Sequence, residues 1–247
     1  TPLIAACISR LTGVANSFGL EVVVVGLSVA LFGTSVWFGI NRGIKRLSDV
    51  NVVLALVLLA VVVAVGPVVF LVETPLNSVG LLVSEFVRMN SWTEPFANSG
   101  FVESWTIFYW AWWIAYGPFV GLFVTRISRG RTIRQVILGM VGWGTLGGAL
   151  FFMVLGNYGL HLQLTGALDV LQVLDTEGAP AAIVATLDQM PAAWLMVGVF
   201  CLVTIVFAAT TYDSASYTLA AAATRRLAPG DDPPRWHRVF WAVALTL

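Results

Sequence analysis

Long apolar stretches, separated by segments that carry most of the charge, dominate the sequence and predict helices that cross a membrane. About 20 apolar residues suffice for a helix to span the hydrocarbon core of a bilayer. We therefore expect an all-α integral membrane protein, and a piece of a longer chain because it opens with Thr1 and ends within an apolar stretch. Five complete spans are predicted at 22–40, 50–72, 104–125, 139–156 and 192–211, with partial ones at 2–20 and 239–247.

Two longer connections separate the predicted spans, at 73–103 and 157–189. Within the first connection, the stretch 81–89 places Ser84, Glu85 and Arg88 on one side of a helix and apolar residues on the other. This pattern predicts an amphipathic helix that lies on the membrane surface.

Composition supports the same class of protein, since 58% of the residues are hydrophobic, 11% are charged and the mean hydropathy is +0.88. The formal net charge of zero argues against a nucleic-acid partner. Both cysteines, Cys7 and Cys201, lie in apolar stretches and are predicted to be small core residues.

Basic residues fall in alternate connections, which the positive-inside rule assigns to the cytoplasm. The connections between them are acidic, and Arg88 is their only basic residue. The span at 104–125 should therefore run from outside to inside. The basic residues are Arg42, Lys45, Arg46, Arg126, Arg129, Arg131, Arg134, Arg225, Arg226, Arg235 and Arg238.

The span that begins at Ser104 reads SWTIFYWAWWIAYGPF and is unusually rich in aromatic residues. A helix turns through about 100° per residue, so the aromatic rings of this span should form two adjacent stripes along the helix. Trp105, at the mouth of the span, is explained by the interfacial preference of tryptophan. The stripes are Trp105, Tyr109, Trp112 and Tyr116, and then Trp110, Trp113 and Gly117.

The deeper rings, Trp112 and Trp113, favour one of two interpretations. In the first, they face lipid or pack against other helices. In the second, the negative faces of the rings hold a cation, which they attract by about 2 kcal/mol once water is excluded. A quaternary ammonium suits such a cage because it has no N–H group that needs a hydrogen bond. The sequence Gly117-Pro118 predicts a bend or break in this helix, since proline lacks an N–H and collides with the carbonyl of Ile114.

These residues carry a resemblance to a known family. Ser104 to Trp113, reading SWTIFYWAWW, and Arg126 to Arg134, reading RISRGRTIR, are similar to the betaine/choline/carnitine transporter (BCCT) family. The resemblance extends from about Gly43 to Leu247. It implies a LeuT-like fold of two inverted repeats, with residues 1–103 ending the first repeat and providing the external amphipathic connection, and 104–247 beginning the second, truncated repeat. It also implies contact with membrane lipid and a homotrimer.

The resemblance further implies where the substrate and a coupling ion would bind. The substrate-binding residues would be Trp110, Trp112, Trp113, Tyr116 and Phe119. The segment FAATTYDSAS that begins at Phe207 resembles a family segment that contributes to a sodium site, with a carbonyl from Phe207 and hydroxyls from Thr210 and Thr211. Spacing alone equally fits hydroxyls that bond back to their own helix.

Other polar residues near the spans have two interpretations each. Asp213 is either a gate or cap near the inner mouth or an ordinary solvated residue. The arginines from Arg126 to Arg134 either anchor the chain at anionic lipid or form a gating ion pair with a loop. His161 and His237 have no metal-ligating residues at suitable spacing, and no metal other than possible sodium is expected.

The sequence therefore favours secondary active transport of quaternary ammonium compounds such as choline, glycine betaine or carnitine, coupled to sodium or protons. The alternative is a membrane receptor or scaffold that binds a cationic ligand without moving it. An enzyme is not expected, because the sequence contains no Ser-centred elbow, no phosphate-binding loop and no paired carboxylates within a span.

Overall fold

The computed structural model of this chain describes residues 1–38, 45–97, 99–225, 227 and 231–245. Helices account for most of these residues, and no strand occurs among them. The predictions that concern Arg42, Arg226 and the last two residues lie outside the described residues. The first five helices are α1 Pro2–Thr12, α2 Phe18–Phe38, α3 Lys45–Val65, α4 Val68–Ser84 and α5 Phe86–Asn90.

The second part of the chain contains the longest apolar helices. A π-helical segment adjoins two of these helices, at Val102–Ile107 directly before α6 and at Phe152–Gly156 directly after α7. The helices are α6 Phe108–Ile127, α7 Ile133–Phe151, α8 Asn157–Thr165, α9 Val170–Glu177, α10 Ala179–Asp188, α11 Ala193–Ala223 and α12 Arg235–Ala244.

Four apolar helices are long enough to cross a membrane in the described part of the chain: Ser48–Val65, Val102–Ile127, Ile133–Thr165 and Ala193–Ala223. The first predicted span corresponds to α2, of which Phe18–Leu31 is a shorter apolar stretch. Gly39 and Ile40, at the end of that prediction, lie outside the described residues. The all-α membrane architecture predicted from the apolar pattern is thus confirmed.

Helix α11 is the centre of the packing and contacts α1, α2, α3, α6, α10 and α12. Its apolar side chains enter a core whose members include Cys7, Cys201, Leu58, Val62 and Val197. Both cysteines are buried and free, as expected of small core residues. In contrast, α6 and α7 have no buried residue, although some of their residues are half-buried.

The predicted second span was wrong at its outer end, because the helix stops at Val65 instead of continuing to Val72. Pro67 has no N–H to donate to the helix. A Cβ atom on Gly66 would lie only 2.6 Å from the carbonyl oxygen of Val62. The pair Gly66-Pro67 therefore makes a tight junction between α3 and α4 that only glycine fits.

Other predicted boundaries also differ from the structure. The connection at 157–189 is helical, in α8, α9 and α10. The predicted surface helix at 81–89 is divided at Glu85, where α4 ends and α5 begins. The fifth span continues beyond Thr211 to Ala223, since the sequence from Ala215 onward is rich in alanine, the best helix former.

Candidate substrate and ion sites

The aromatic residues of α6 and the π-helical segment before it form a continuous ladder of rings. Trp105 stacks on Tyr109 with ring centroids 5.9 Å apart, and Tyr109 meets Trp112 edge-on at the same separation. Trp112 in turn stacks on Tyr116, again at 5.9 Å, and Tyr116 contacts Phe119 at 5.3 Å. The stripe predicted from helical spacing is therefore present.

The second predicted stripe lies beside this ladder. The ring of Trp113 contacts that of Trp112 at 5.7 Å, so four of the five predicted substrate-binding residues are linked by ring contacts. Trp110, the fifth, is on the same helix and is 68% exposed. Trp113 is 61% exposed, so its ring faces are accessible to a ligand or to further helices. A cation could lie against several adjacent rings here.

A bend or a break was predicted at Gly117-Pro118, and the break is absent, because α6 continues without interruption from Phe108 to Ile127. Proline removes a single intrahelical hydrogen bond, while the bonds on either side of it remain. A long apolar helix tolerates this loss.

The π-helical segment Val102–Ile107 was not predicted from the sequence. It leads directly into the ladder and contains Trp105, so it sets the position of the rings at the outer end of the span. Short π-helical segments within α-helices are frequent at functional sites. Side-chain periodicity carries little signal for such a segment, because one extra residue in a turn shifts the pattern only slightly.

The three predicted ion-binding residues lie together on α11. The hydroxyls of Thr210 and Thr211 both donate to the carbonyl oxygen of Phe207, at 2.9 Å and 3.0 Å. This is the bond back to the preceding turn that spacing alone allowed. The same contacts gather three oxygen atoms at one point of the helix, and oxygen ligands are those that hard cations prefer.

Asp213 lies within α11 and is fully buried, so it is not a solvated residue in this structure. The helix has 31 residues, and at 1.5 Å per residue its length of about 46 Å exceeds the roughly 30 Å hydrocarbon core. Asp213 lies about 30 Å from the first residue of the helix. This depth corresponds to the inner end of a span.

Both histidines contact side chains of the protein through ring contacts or hydrogen bonds. The ring of His161 contacts Phe70 with centroids 5.1 Å apart. His237 lies between Thr224, whose Oγ1 is 3.1 Å from Nδ1, and Trp241, whose Nε1 donates to Nε2 at 3.1 Å. Among the described residues, no group of three His, Cys, Asp or Glu side chains could hold a metal ion.

A cavity of about 690 Å³ lies among α8, α9, α10 and the π-helical segment after α7. Neither the ladder of rings nor Thr210 and Thr211 of α11 line it. Its lining is almost entirely apolar, and its polar members Gln163 and Thr186 already form hydrogen bonds with the protein. No charged side chain lines this cavity in the described part of the chain. Its lining includes Phe152, Leu160, Leu171, Leu174, Ile183 and Phe200.

Apolar spanning helices, one of them with a ladder of exposed aromatic rings, define a multi-pass membrane protein with a candidate site for a small ligand. Comparison of the chain with models of known families identifies one family over its full length. The model for BCCT, the betaine/carnitine/choline family transporter, matches residues 1–247. The chain therefore belongs to this family, and the match includes the first 42 residues, which the sequence resemblance had left out.

Two relatives show the extent of the similarity. An uncharacterized transporter, YeaV, of Escherichia coli strain K12 is 41% identical over 240 residues, which cover 97% of this chain and 50% of that protein. A carnitine transporter of Acinetobacter baumannii is 41% identical over 241 residues, which cover 97% of this chain and 44% of that protein. The chain thus spans about half the length of these relatives.

Proposed function

We propose that the protein of which this chain is a part takes up quaternary ammonium compounds by secondary active transport with alternating access. The observation that carries the proposal is the ladder of rings on α6 in a chain of the BCCT family. Ring faces attract a cation that has no N–H to satisfy. In this proposal Trp110, Trp112, Trp113, Tyr116 and Phe119 line the path of the substrate.

Carnitine is the first substrate to test, since one relative is named a carnitine transporter. Choline and glycine betaine carry the same trimethylammonium group, so the rings of α6 would attract all three. Residues that recognise the remainder of the substrate would then determine which compound is preferred.

We further propose that sodium is the coupling ion and that the Phe207 carbonyl, Thr210 and Thr211 provide three of its oxygen ligands. Their convergence on α11 supports this assignment. The ion would replace the hydrogen bonds that the two hydroxyls now donate, so each hydroxyl could turn a lone pair toward it.

The remaining features of the proposal follow from the family. The complete protein would consist of two inverted repeats, with residues 1–103 in the first and 104–247 in the second. It would form a homotrimer in the plasma membrane, or in the inner membrane of a bacterium with two membranes. It would bind no nucleic acid, and it would move its substrate chemically unchanged, with no enzymatic activity.

Uptake of radiolabelled carnitine, choline and glycine betaine by cells that express the full-length protein tests the proposal. We expect concentrative uptake of at least one compound, and its loss when the sodium gradient is removed. Thr211→Val, which replaces the hydroxyl with a methyl group of similar size, should raise the sodium concentration needed for half-maximal uptake by about tenfold, the equivalent of about 1.4 kcal/mol.

Thr211→Ser is the matched control, because it keeps the hydroxyl and should stay close to the parent. Sodium-independent uptake would contradict the coupling assignment alone. Binding of a cation without any uptake, in protein shown to be inserted in the membrane, would instead favour a receptor or scaffold.

A further inference from the structure

The cavity among α8, α9, α10 and the π-helical segment after α7 is an open groove with exposed apolar walls, and we call it the outer groove. Its volume is about 690 Å³. Large exposed apolar surfaces mark places where a protein contacts another molecule or lipid. The described part of the chain leaves these walls uncovered. The exposed apolar residues that line the groove include Phe152, Leu160, Leu171, Leu174 and Ile183.

One wall of the outer groove follows a spanning helix. Lining residues of this wall extend from Phe151 to Gln163, which corresponds to about 18 Å along the helix axis. The volume of the groove falls within the range of about 300–1,000 Å³ that is usual for sites of small organic ligands. An apolar wall of this length suits an extended hydrocarbon chain better than a compact polar ligand.

The outer groove lies toward the outer end of a helix that is longer than the membrane core. The continuous helix Ile133–Thr165 has 33 residues and a length of about 50 Å, whereas the hydrocarbon core is about 30 Å thick. A helix of excess length tilts, which keeps more of it within the hydrocarbon. No charged residue occurs between Arg134, on the inner side, and Asp169, on the outer side. We therefore expect the groove beside the acyl chains of the outer leaflet and Asp169 at the level of the headgroups.

The charges around the outer groove favour one class of headgroup. The connection at 157–189 contains no Lys or Arg. Asp175 directly follows the lining residue Leu174 and comes four residues after Leu171, so it borders the groove. It is exposed and belongs to neither ion pair in the described part of the chain. The acidic residues of the connection are Asp169, Asp175, Glu177 and Asp188.

This charge pattern repels an anionic headgroup and attracts a headgroup that carries an ammonium. We propose that the outer groove binds one acyl chain of a phosphatidylethanolamine molecule from the outer leaflet, and that Asp175 attracts the ammonium group of that lipid. The lipid site is separate from the ladder of rings on α6. The proposal goes beyond the proposed transport function and does not depend on it.

Photocrosslinking in the full-length protein tests the lipid site. The purified protein is placed in nanodiscs that contain phosphatidylethanolamine with a diazirine on one acyl chain, and crosslinked peptides are identified by mass spectrometry. We expect crosslinks to peptides of α9 and α10. Ile183→Glu places a carboxylate among the apolar walls and should reduce these crosslinks by about tenfold. Leu164→Glu is the matched control, because Leu164 is exposed on α8 but does not line the groove.

Competition between lipids tests the choice of headgroup. Unlabelled phosphatidylethanolamine should prevent crosslinking at a concentration about fivefold lower than phosphatidylglycerol, which is anionic. Asp175→Asn removes the charge beside the groove and should abolish most of this preference. Glu103→Gln is the matched control, since Glu103 is an exposed acidic residue before α6 and does not line the groove. This variant should keep the preference of the parent.

The absence of crosslinks to α9 and α10 would overturn the proposal and would indicate that another segment of the complete protein, or a second copy, covers the groove. Equal crosslinking of Ile183→Glu and the parent would also overturn it, as would equal competition by the two lipids. If Ile183→Glu fails to fold, Leu171→Glu at a more exposed lining residue decides the outcome. The measurement uses no substrate, so its result is separate from that of the uptake experiment.

Discussion

At the scale of single residues, Trp105 and Trp113 allow the two roles of tryptophan in a span to be separated. They are eight residues apart on the same continuous helix and are similarly exposed, at 55% and 61%. Trp105 begins the ladder at the outer end, where an indole N–H can find headgroups and water. Trp113 lies about 12 Å deeper, where such partners are absent and where the proposed cation would be held.

Trp113→Ala in the full-length protein should therefore weaken substrate binding by about 1–2 kcal/mol, or roughly tenfold in apparent affinity, through the loss of one cation–π partner. Trp105→Ala should change the affinity little. Substrate binding to purified protein, followed by calorimetry, measures both. Equal losses in the two variants would contradict the assignment of Trp113 to the site.

At the scale of elements, the junction between α3 and α4 depends on the absence of a side chain at Gly66. The contact of 2.6 Å that a Cβ atom would make is with backbone, the Val62 carbonyl oxygen, which cannot rotate away. The next contacts would be with Leu71 at 3.2 Å and Tyr158 at 3.6 Å. A substitution there must move a helix that belongs to the core.

We expect Gly66→Ala to lower the free energy of unfolding by about 1–3 kcal/mol, the usual cost of forcing extra atoms into a packed site. Gly80→Ala, on α4, is the matched control because its Cβ would have no neighbour within 4 Å. Thermal unfolding of the full-length protein in detergent compares the two. A Gly66 variant as stable as the Gly80 variant would contradict this account of the junction.

At the scale of the whole molecule, contacts between distant segments agree with the topology expected from charge. Arg126 reaches Asp231, so the turn after α6 and the segment after α11 lie at one end. At the end where α11 begins, Arg10 of α1 forms an ion pair of 2.6 Å with Asp188 of α10. The basic turn after α6 and the basic segment after α11 thus share one side of the molecule, and the acidic connection with α9 and α10 lies on the other.

Cysteine labelling in intact cells tests the orientation of these two ends. A cysteine introduced as Arg131→Cys, in the exposed turn after α6, should be protected from an impermeant thiol reagent until the cells are opened. One introduced as Glu177→Cys, at the exposed end of α9, should react directly. Cys7 and Cys201 are buried and should give little background. The reverse pattern would invert the proposed topology.

The amino-acid sequence by itself determined the class of protein, the family and the aromatic stripe. Apolar length and charge asymmetry are properties of single segments, so they can be interpreted without neighbours. The stripe of Trp105, Tyr109, Trp112 and Tyr116 follows from the pitch of one helix. It is therefore as predictable as the helix itself.

Only the tertiary structure decided the features that depend on contacts between segments or on local backbone packing. The end of α3 at Gly66, the continuous helix through Pro118 and the burial of Asp213 all depend on surroundings that local patterns do not specify. Tyr217 and Asp232 are separated in sequence, and neither carries a motif. The hydrogen bond that the Tyr217 hydroxyl donates to Asp232 exists because the segment before α12 packs on the inner end of α11, and folding alone brings those residues together.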